Sequence, residues 1–161
     1  MPSGKSAASF RPKINISTIN APCGKVHACI VCFQDERIAI EHRLVSIVDD
    51  DESVRESLPD LIRELGFAAR AFSSAREFLS SSYVDETSCL ILDIAMPGMS
   101  GPELQEELKR RRPSLPIIFI TGHRDETIRT RVLEQGAAGF LLKPFSDFDL
   151  VAAIQAALQG T

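Results

Sequence analysis

Five polar residues, each standing at the end of a short apolar run, could together carry out chemistry at phosphorus. They are three carboxylates, one hydroxyl and one ammonium: Asp49, Asp50, Asp93, Thr121 and Lys143. Three carboxylates within a few ångströms of one another repel, so at neutral pH they need either a bound proton or a counter-cation. A set of oxygen ligands favours a hard ion such as Mg²⁺, which leaves coordination positions open for a phosphoryl group. These residue types therefore predict a magnesium-dependent phosphoryl transfer.

The predicted nucleophile of that reaction is Asp93. With Mg²⁺ bound, its carboxylate can stay ionised and attack phosphorus, and the product is an aspartyl phosphate. Mg²⁺ and Lys143 would neutralise the oxygens of the transition state, and Thr121 would donate a hydrogen bond. Each signal alone has a simpler interpretation, since an acidic run such as residues 49–52 is typical of a helix start. Their joint occurrence at successive strand ends favours a functional site.

These side chains meet only in a fold that gathers several strand ends, and the sequence pattern predicts such a fold. From residue 43 onward, short apolar runs alternate with segments of helical periodicity, which is typical of βα units around a parallel sheet. Five strands are predicted, each followed by a helix: Leu44–Val48, Phe67–Phe72, Cys89–Leu92, Ile117–Ile120 and Phe140–Leu142. In an open parallel sheet, the ligand crevice lies outside the carboxyl ends of the strands.

The predicted helices carry local signals of their own. Ser74 with Glu77, and Ser100 with Glu103, have the spacing of a capping box, in which each side chain satisfies a free backbone amide. The spacing of apolar residues in the last helix predicts that it buries Phe148, Val151, Ile154 and Leu158.

Composition and charge narrow the class of protein. The 161 residues are 44% hydrophobic and 25% charged, which is typical of one globular domain with some additional chain. No apolar run reaches the roughly 18 residues of a membrane span, and no secretory signal opens the chain, so we expect a cytoplasmic protein without membrane contact. Residues 43–161 hold 13 basic and 19 acidic side chains, a net charge of −6. That charge argues against direct nucleic-acid binding.

Residues 1–42 differ from the remainder of the chain. They lack a sustained period and are predicted to form a poorly ordered N-terminal extension to a domain at 43–161. The extension contains Cys23, His27, Cys29 and Cys32 within ten residues. That spacing lacks the loop of about a dozen residues that usually separates the ligand pairs of a structural zinc site, so we expect no metal there. Cys89, inside an apolar run, is predicted to be a buried small hydrophobe.

Four segments between Arg43 and about Leu158 resemble the receiver domains of two-component response regulators, most closely the FixJ-type branch. They are Ser46-Ile47-Val48-Asp49-Asp50-Asp51, the stretch from Leu90 to Gly101, Ile120-Thr121-Gly122-His123, and Gly139-Phe140-Leu141-Leu142-Lys143-Pro144-Phe145. The resemblance implies a flavodoxin-like, doubly wound (βα)5 fold with strand order 2-1-3-4-5. It also implies phosphorylation of Asp93 by a sensor histidine kinase.

The resemblance assigns further roles position by position. Asp50 and Asp93 would bind Mg²⁺ directly together with the backbone carbonyl of Ala95, and Asp49 would act through water. Small Ala95 would give hydrolytic water little help, which implies slow to moderate self-dephosphorylation. The peptide bond between Lys143 and Pro144 would be cis.

Thr121 and Phe140 occupy the positions of the family's switch pair. On phosphorylation, the Thr121 hydroxyl would move to the phosphate and Phe140 would turn inward. This change would reshape the face made by the fourth helix, the fifth strand and the fifth helix, through which the domain would bind a downstream protein or a second copy of itself.

Two other functions and one difference from the family bear on this interpretation. A phosphatase of haloacid-dehalogenase type needs a second aspartate two residues after the nucleophile, where this chain has Ala95. A receiver-like module that binds partners without phosphorylation would be favoured if a site group were missing, and none is. FixJ-type regulators usually carry a DNA-binding domain beyond this point. We therefore expect either a stand-alone receiver or a piece of a longer protein.

Overall fold

Five strands form one parallel sheet within residues 43–160, the part of the chain that the computed structural model describes. They are β1 (Leu44–Val48), β2 (Ala68–Phe72), β3 (Thr87–Asp93), β4 (Ile117–Thr121) and β5 (Gly139–Leu142). The order across the sheet is β2-β1-β3-β4-β5, and every neighbouring pair is parallel. The predicted fold class and strand order are confirmed. The predicted extension and its Cys23, His27, Cys29 and Cys32 lie outside the described residues.

Within the same residues 43–160, six helices connect and flank these strands, one more than the sequence predicts. They are α1 (Glu52–Glu64), α2 (Ala75–Ser80), α3 (Tyr83–Glu86), α4 (Gly101–Arg111), α5 (Glu126–Glu134) and α6 (Asp147–Gln159). The additional helix is α3, a single turn that leads into β3, where the Thr87 hydroxyl donates to the Tyr83 carbonyl at 2.6 Å. The predicted fourth and fifth helices are therefore α5 and α6. Across residues 43–160, no helix combines the length and the apolar character that a membrane span requires.

The hydrophobic core lies on both faces of the sheet. Successive strand residues point to opposite faces, so the central strands must be apolar almost throughout. One buried cluster includes Val48, Phe78, Leu92, Leu104, Phe119 and Val132, and the other includes Ile47, Ile62, Ile91, Ile118, Leu150 and Ile154. The first cluster packs the sheet against α2, α4 and α5, and the second packs it against α1 and α6. This double cover leaves the carboxyl edge of the sheet for polar residues.

Two local predictions are wrong in detail. The Ser74 hydroxyl accepts from the Glu77 amide as expected, but the Glu77 carboxylate accepts from the amide and hydroxyl of Ser73 rather than from Ser74. Phe148, predicted to be buried, is 79% exposed, whereas Leu150, Ile154 and Ala157 of the same helix are buried. At 100° per residue, a side chain two positions before Leu150 lies on the opposite side of α6.

Candidate functional site

Four of the predicted residues stand at the carboxyl ends of four neighbouring strands. Asp49 follows β1, Asp93 ends β3, Thr121 ends β4, and Lys143 follows β5. The amide of Lys143 donates to the carbonyl of Thr121 at 2.7 Å, so the ladder between β4 and β5 continues as far as the lysine. The lysine precedes Pro144 across a cis peptide bond, as predicted. Parallel strands thus deliver these residues to one edge from distant parts of the chain.

The ammonium of Lys143 bridges two buried carboxylates. Its Nζ donates to Asp49 Oδ2 at 2.7 Å and to Asp93 Oδ1 at 2.9 Å. The side chains of Asp49 and Asp93 are 1% and 8% exposed, and that of Lys143 is 25% exposed. Two negative groups therefore share a single positive one in a place largely removed from water.

Backbone amides hold the second oxygen of each carboxylate. Asp49 Oδ1 accepts from the amide of Asp51, and Asp93 Oδ2 accepts from the amide of Ala95, both at 2.8 Å. Each of the four oxygens thus has a donor, and each still has a lone pair for another ligand. The carboxylates are held in place by the turns that follow β1 and β3.

Burial and charge act in opposite directions on the ionisation of this group. Burial raises the pKa of the Asp49 carboxyl, and the hydrogen bonds from Lys143 and the Asp51 amide only partly offset that effect. Burial by itself would lower the pKa of Lys143, but its hydrogen bonds to Asp49 and Asp93 outweigh burial, so the pKa is raised. Lys143 is therefore charged at neutral pH, and negative charge is in excess around it.

The donor set fits a hard divalent cation in both chemistry and charge. Asp49 and Asp93 with Lys143 leave one net negative charge, and the exposed Asp50 adds a second beside Asp49. All available ligands are oxygens, which Mg²⁺ prefers. Among residues 43–160, no three acidic, histidine or cysteine side chains already lie grouped closely enough to hold an ion. Asp49 and Asp93 are instead drawn to Lys143, while Asp50 faces solvent.

Thr121 and Phe140 lie on the walls of one cavity beside the ion pairs. Thr121 is 3% exposed, and its Oγ1 accepts from the amide of His123 at 3.2 Å, which leaves the hydroxyl proton free to donate. The cavity has a volume of about 320 Å³, and its lining includes Ala95, Thr121, Ile128 and Phe140. The ring of Phe140, on β5, is half-buried, and the cavity leaves space between it and Thr121.

Two residues make contacts at this site that the sequence pattern did not predict. The Arg55 guanidinium in the first turns of α1 donates to the backbone carbonyls of Asp49 and Asp50, at 3.0 and 2.6 Å, and so fixes the acidic turn. Gly101, at the start of α4, has no room for a side chain, because a Cβ would collide with the carbonyl oxygen of Asp93. Gly101 ends the stretch from Leu90 that resembles receiver domains, but only the packing shows its contact with Asp93.

Comparison with known proteins gives consistent matches over the described region. Residues 45–155 match the family model of the response regulator receiver domain. Nodulation protein W of Bradyrhizobium diazoefficiens is 48% identical over 116 residues, which are 72% of this chain and 51% of that protein. The chain spans about half the length of the curated relatives it matches.

Solved structures match the same region. The response regulator StyR superposes with a TM-score of 0.68 at 45% identity, over 73% of this chain and 60% of StyR. FixJ-N superposes with a TM-score of 0.67 at 36% identity, over 74% of this chain and 95% of FixJ-N.

Proposed function

This chain belongs to the response regulator receiver domain family of two-component systems, and on that premise we propose that it accepts a phosphoryl group on Asp93 from a sensor histidine kinase. Receiver domains are regulatory domains rather than classical enzymes. The observation that carries the proposal is the bridge from Lys143 to both Asp49 and Asp93, because it sets a fixed cation beside the acceptor carboxylate. We further propose that the receiver unit spans residues 43–161, with 1–42 as an extension, and acts in the cytoplasm.

The proposed ligands of Mg²⁺ are Asp50, Asp93 and the backbone carbonyl of Ala95, with Asp49 acting through water. When bound, the ion would supply positive charge for the phosphoryl oxygens and offset the repulsion among the carboxylates. The excess negative charge at this edge and its all-oxygen donors support that assignment.

Asp93 would act as the nucleophile, and the surrounding side chains would stabilise the charge of the group it receives. A carboxylate oxygen forms the new bond to phosphorus as the bond between phosphorus and the donor's imidazole nitrogen breaks. Lys143, already 2.9 Å from the Asp93 carboxylate, can turn from it to a phosphoryl oxygen. The hydroxyl of Thr121 donates to another, because its proton is not committed.

We propose that the Thr121 hydroxyl couples this event to the surface. Its movement toward the phosphoryl group would release space in the cavity that it shares with Phe140. The ring would then turn inward, and the face of α5, β5 and α6 would change shape. A downstream protein or a second copy of the chain would bind that face. The acidic body of the domain argues against direct contact with nucleic acid.

The two alternative functions predict different behaviour. A phosphatase would turn over external phosphate esters, but Ala95 supplies no general acid at the place where such enzymes need one. A module that acts without phosphorylation would ignore phosphoryl donors altogether.

The deciding experiment exposes the full chain to Mg²⁺ and acetyl phosphate and measures intact mass. We expect a gain of one phosphoryl group in the wild type and in Asp60→Asn, which alters an exposed aspartate of α1. Asp93→Asn should show no gain, and omitting Mg²⁺ should abolish it in every variant. Labelling of Asp93→Asn equal to wild type would refute the acceptor assignment, and no labelling of the wild type would favour the phosphorylation-independent module.

A further inference from the structure

The ring of Phe140 borders two cavities. The inner cavity, of about 320 Å³, reaches Ala95 and Thr121. The outer cavity, of about 260 Å³, is lined by Arg124, Asp125, Glu126, Arg129, Phe140 and Leu142. Consecutive residues of α5 line different cavities, with Ile128 on the inner cavity and Arg129 on the outer one. An inward turn of the ring would therefore take it away from Arg129.

The guanidinium of Arg129 lies against the ring of Phe140. Its Cζ is 5.8 Å from the ring centroid, within the range in which a cation is attracted to an aromatic face. The position of the guanidinium is itself supported, because Arg129 Nη1 donates to Glu126 Oε2 at 3.2 Å, one helical turn earlier in α5. The contact to the ring exists only while Phe140 keeps its present position.

We propose that Arg129, supported by Glu126, is a positioning residue that holds the Phe140 ring in its outer position and so opposes activation. The role of Arg129 rests on the proposed switching of Phe140. An interaction made in only one of two states shifts the equilibrium by its own free energy. For a half-exposed cation–aromatic contact, that shift corresponds to a population change of about two- to fivefold. Any ligand that favours the inward state must overcome it.

Arg131 provides a matched control on the same helix. It has the same charge and a similar exposure, and its guanidinium lies 3.4 Å from Glu106 of α4 rather than against Phe140. Removing either arginine changes the net charge equally. Only removal of Arg129 should change the balance of the switch.

The first test measures, in the presence of Mg²⁺, the concentration of beryllofluoride at which half of each variant of the full chain is in the activated state. We expect Arg129→Gln to respond at a concentration about two- to fivefold lower than wild type. Glu126→Gln should lower this concentration by a smaller factor. Arg129→Lys should keep it close to the wild-type value, and Arg131→Gln should leave it unchanged. In a Phe140→Leu background, Arg129→Gln should have no effect. An equal shift in that background would overturn the proposal, because the arginine would then act through charge alone.

The second test observes the ring itself and needs no phosphorylation. The chain contains no tryptophan, so Phe140→Trp creates a single tryptophan at the switch position, which can be excited selectively at long wavelength. Adding Arg129→Gln should shift its emission to shorter wavelength, as the ring enters the apolar inner cavity, and adding Arg131→Gln should not. Unchanged emission together with an unchanged beryllofluoride response would refute the role of Arg129. If the wild type responds to neither beryllofluoride nor acetyl phosphate, the proposed function is refuted. The emission of Phe140→Trp with and without Arg129→Gln would still test the contact between Arg129 and the ring.

Discussion

Replacing Lys143 with methionine should reveal how strongly the two buried carboxylates depend on one cation. At 2.7 and 2.9 Å, and with an effective dielectric constant of about 20, each ion pair represents about 6 kcal/mol of attraction. Removal of water from the charges offsets most of this, and losing one partner of a buried pair typically costs about 3–5 kcal/mol. Because a quarter of the Lys143 side chain reaches water, we expect the free energy of unfolding in chelator to fall by about 3 kcal/mol. Urea denaturation followed by circular dichroism measures this change.

Charge repulsion and lost packing can be separated by a second substitution. Lys143→Met with Asp49→Asn should be more stable than Lys143→Met alone, because one of the two unpaired carboxylates has become neutral. Mg²⁺ should stabilise Lys143→Met more than it stabilises the wild type, since the ion replaces the missing charge. Lys109→Met, at the exposed end of α4, should change stability by less than about 0.5 kcal/mol. The electrostatic reasoning is refuted if Asp49→Asn makes Lys143→Met less stable and Mg²⁺ has no larger effect on it.

Other perturbations test the remaining features. Asp50→Ala in chelator should raise the free energy of unfolding by about 0.5–1 kcal/mol, because it removes one exposed charge from an acidic edge. Urea denaturation measures this change, and a lower free energy of unfolding in the variant would contradict the prediction. Gly101→Ala should lower the melting temperature by several degrees, because the added Cβ would meet the backbone of Asp93. Gly160→Ala, at the end of α6, is the control. Equal melting temperatures for the two variants would be the contrary result. Burial raises the pKa of Cys89 to about 12, so iodoacetamide at pH 8 should label the peptide that contains Cys89 only after denaturation. Rapid labelling of Cys89 in the folded chain would show that the core around it opens. Hydrogen bonds from Ser73 lower the pKa of Glu77 in the folded protein, so the stabilising effect of Glu77 is present above its pKa in the unfolded chain and is lost as pH falls. The difference in free energy of unfolding between wild type and Glu77→Gln should therefore shrink between about pH 5 and pH 3. A difference that stays constant with pH would disprove the linkage.

The alternation of strands and helices follows from local sequence patterns, so the fold could be predicted closely. Strands buried on both faces must be nearly continuous apolar runs, and those runs coincide with the central strands to within one or two residues. The strand order came from a resemblance of motifs rather than from periodicity. The turn α3 was missed because four residues are too few to display a period.

The sequence by itself determined that acidic, hydroxyl and ammonium groups follow the apolar runs that form the strands. It also determined that these groups share one edge of the sheet, because parallel strands bring their carboxyl ends to the same edge whatever the details of packing. Tertiary structure alone decided how those groups pair: Lys143 bridges Asp49 and Asp93, which lie 94 and 50 positions away from it in the chain. It also decided that Phe148 faces water and that Arg129 lies against Phe140. Such contacts depend on the rotation and approach of whole elements, and local spacing carries no information about either.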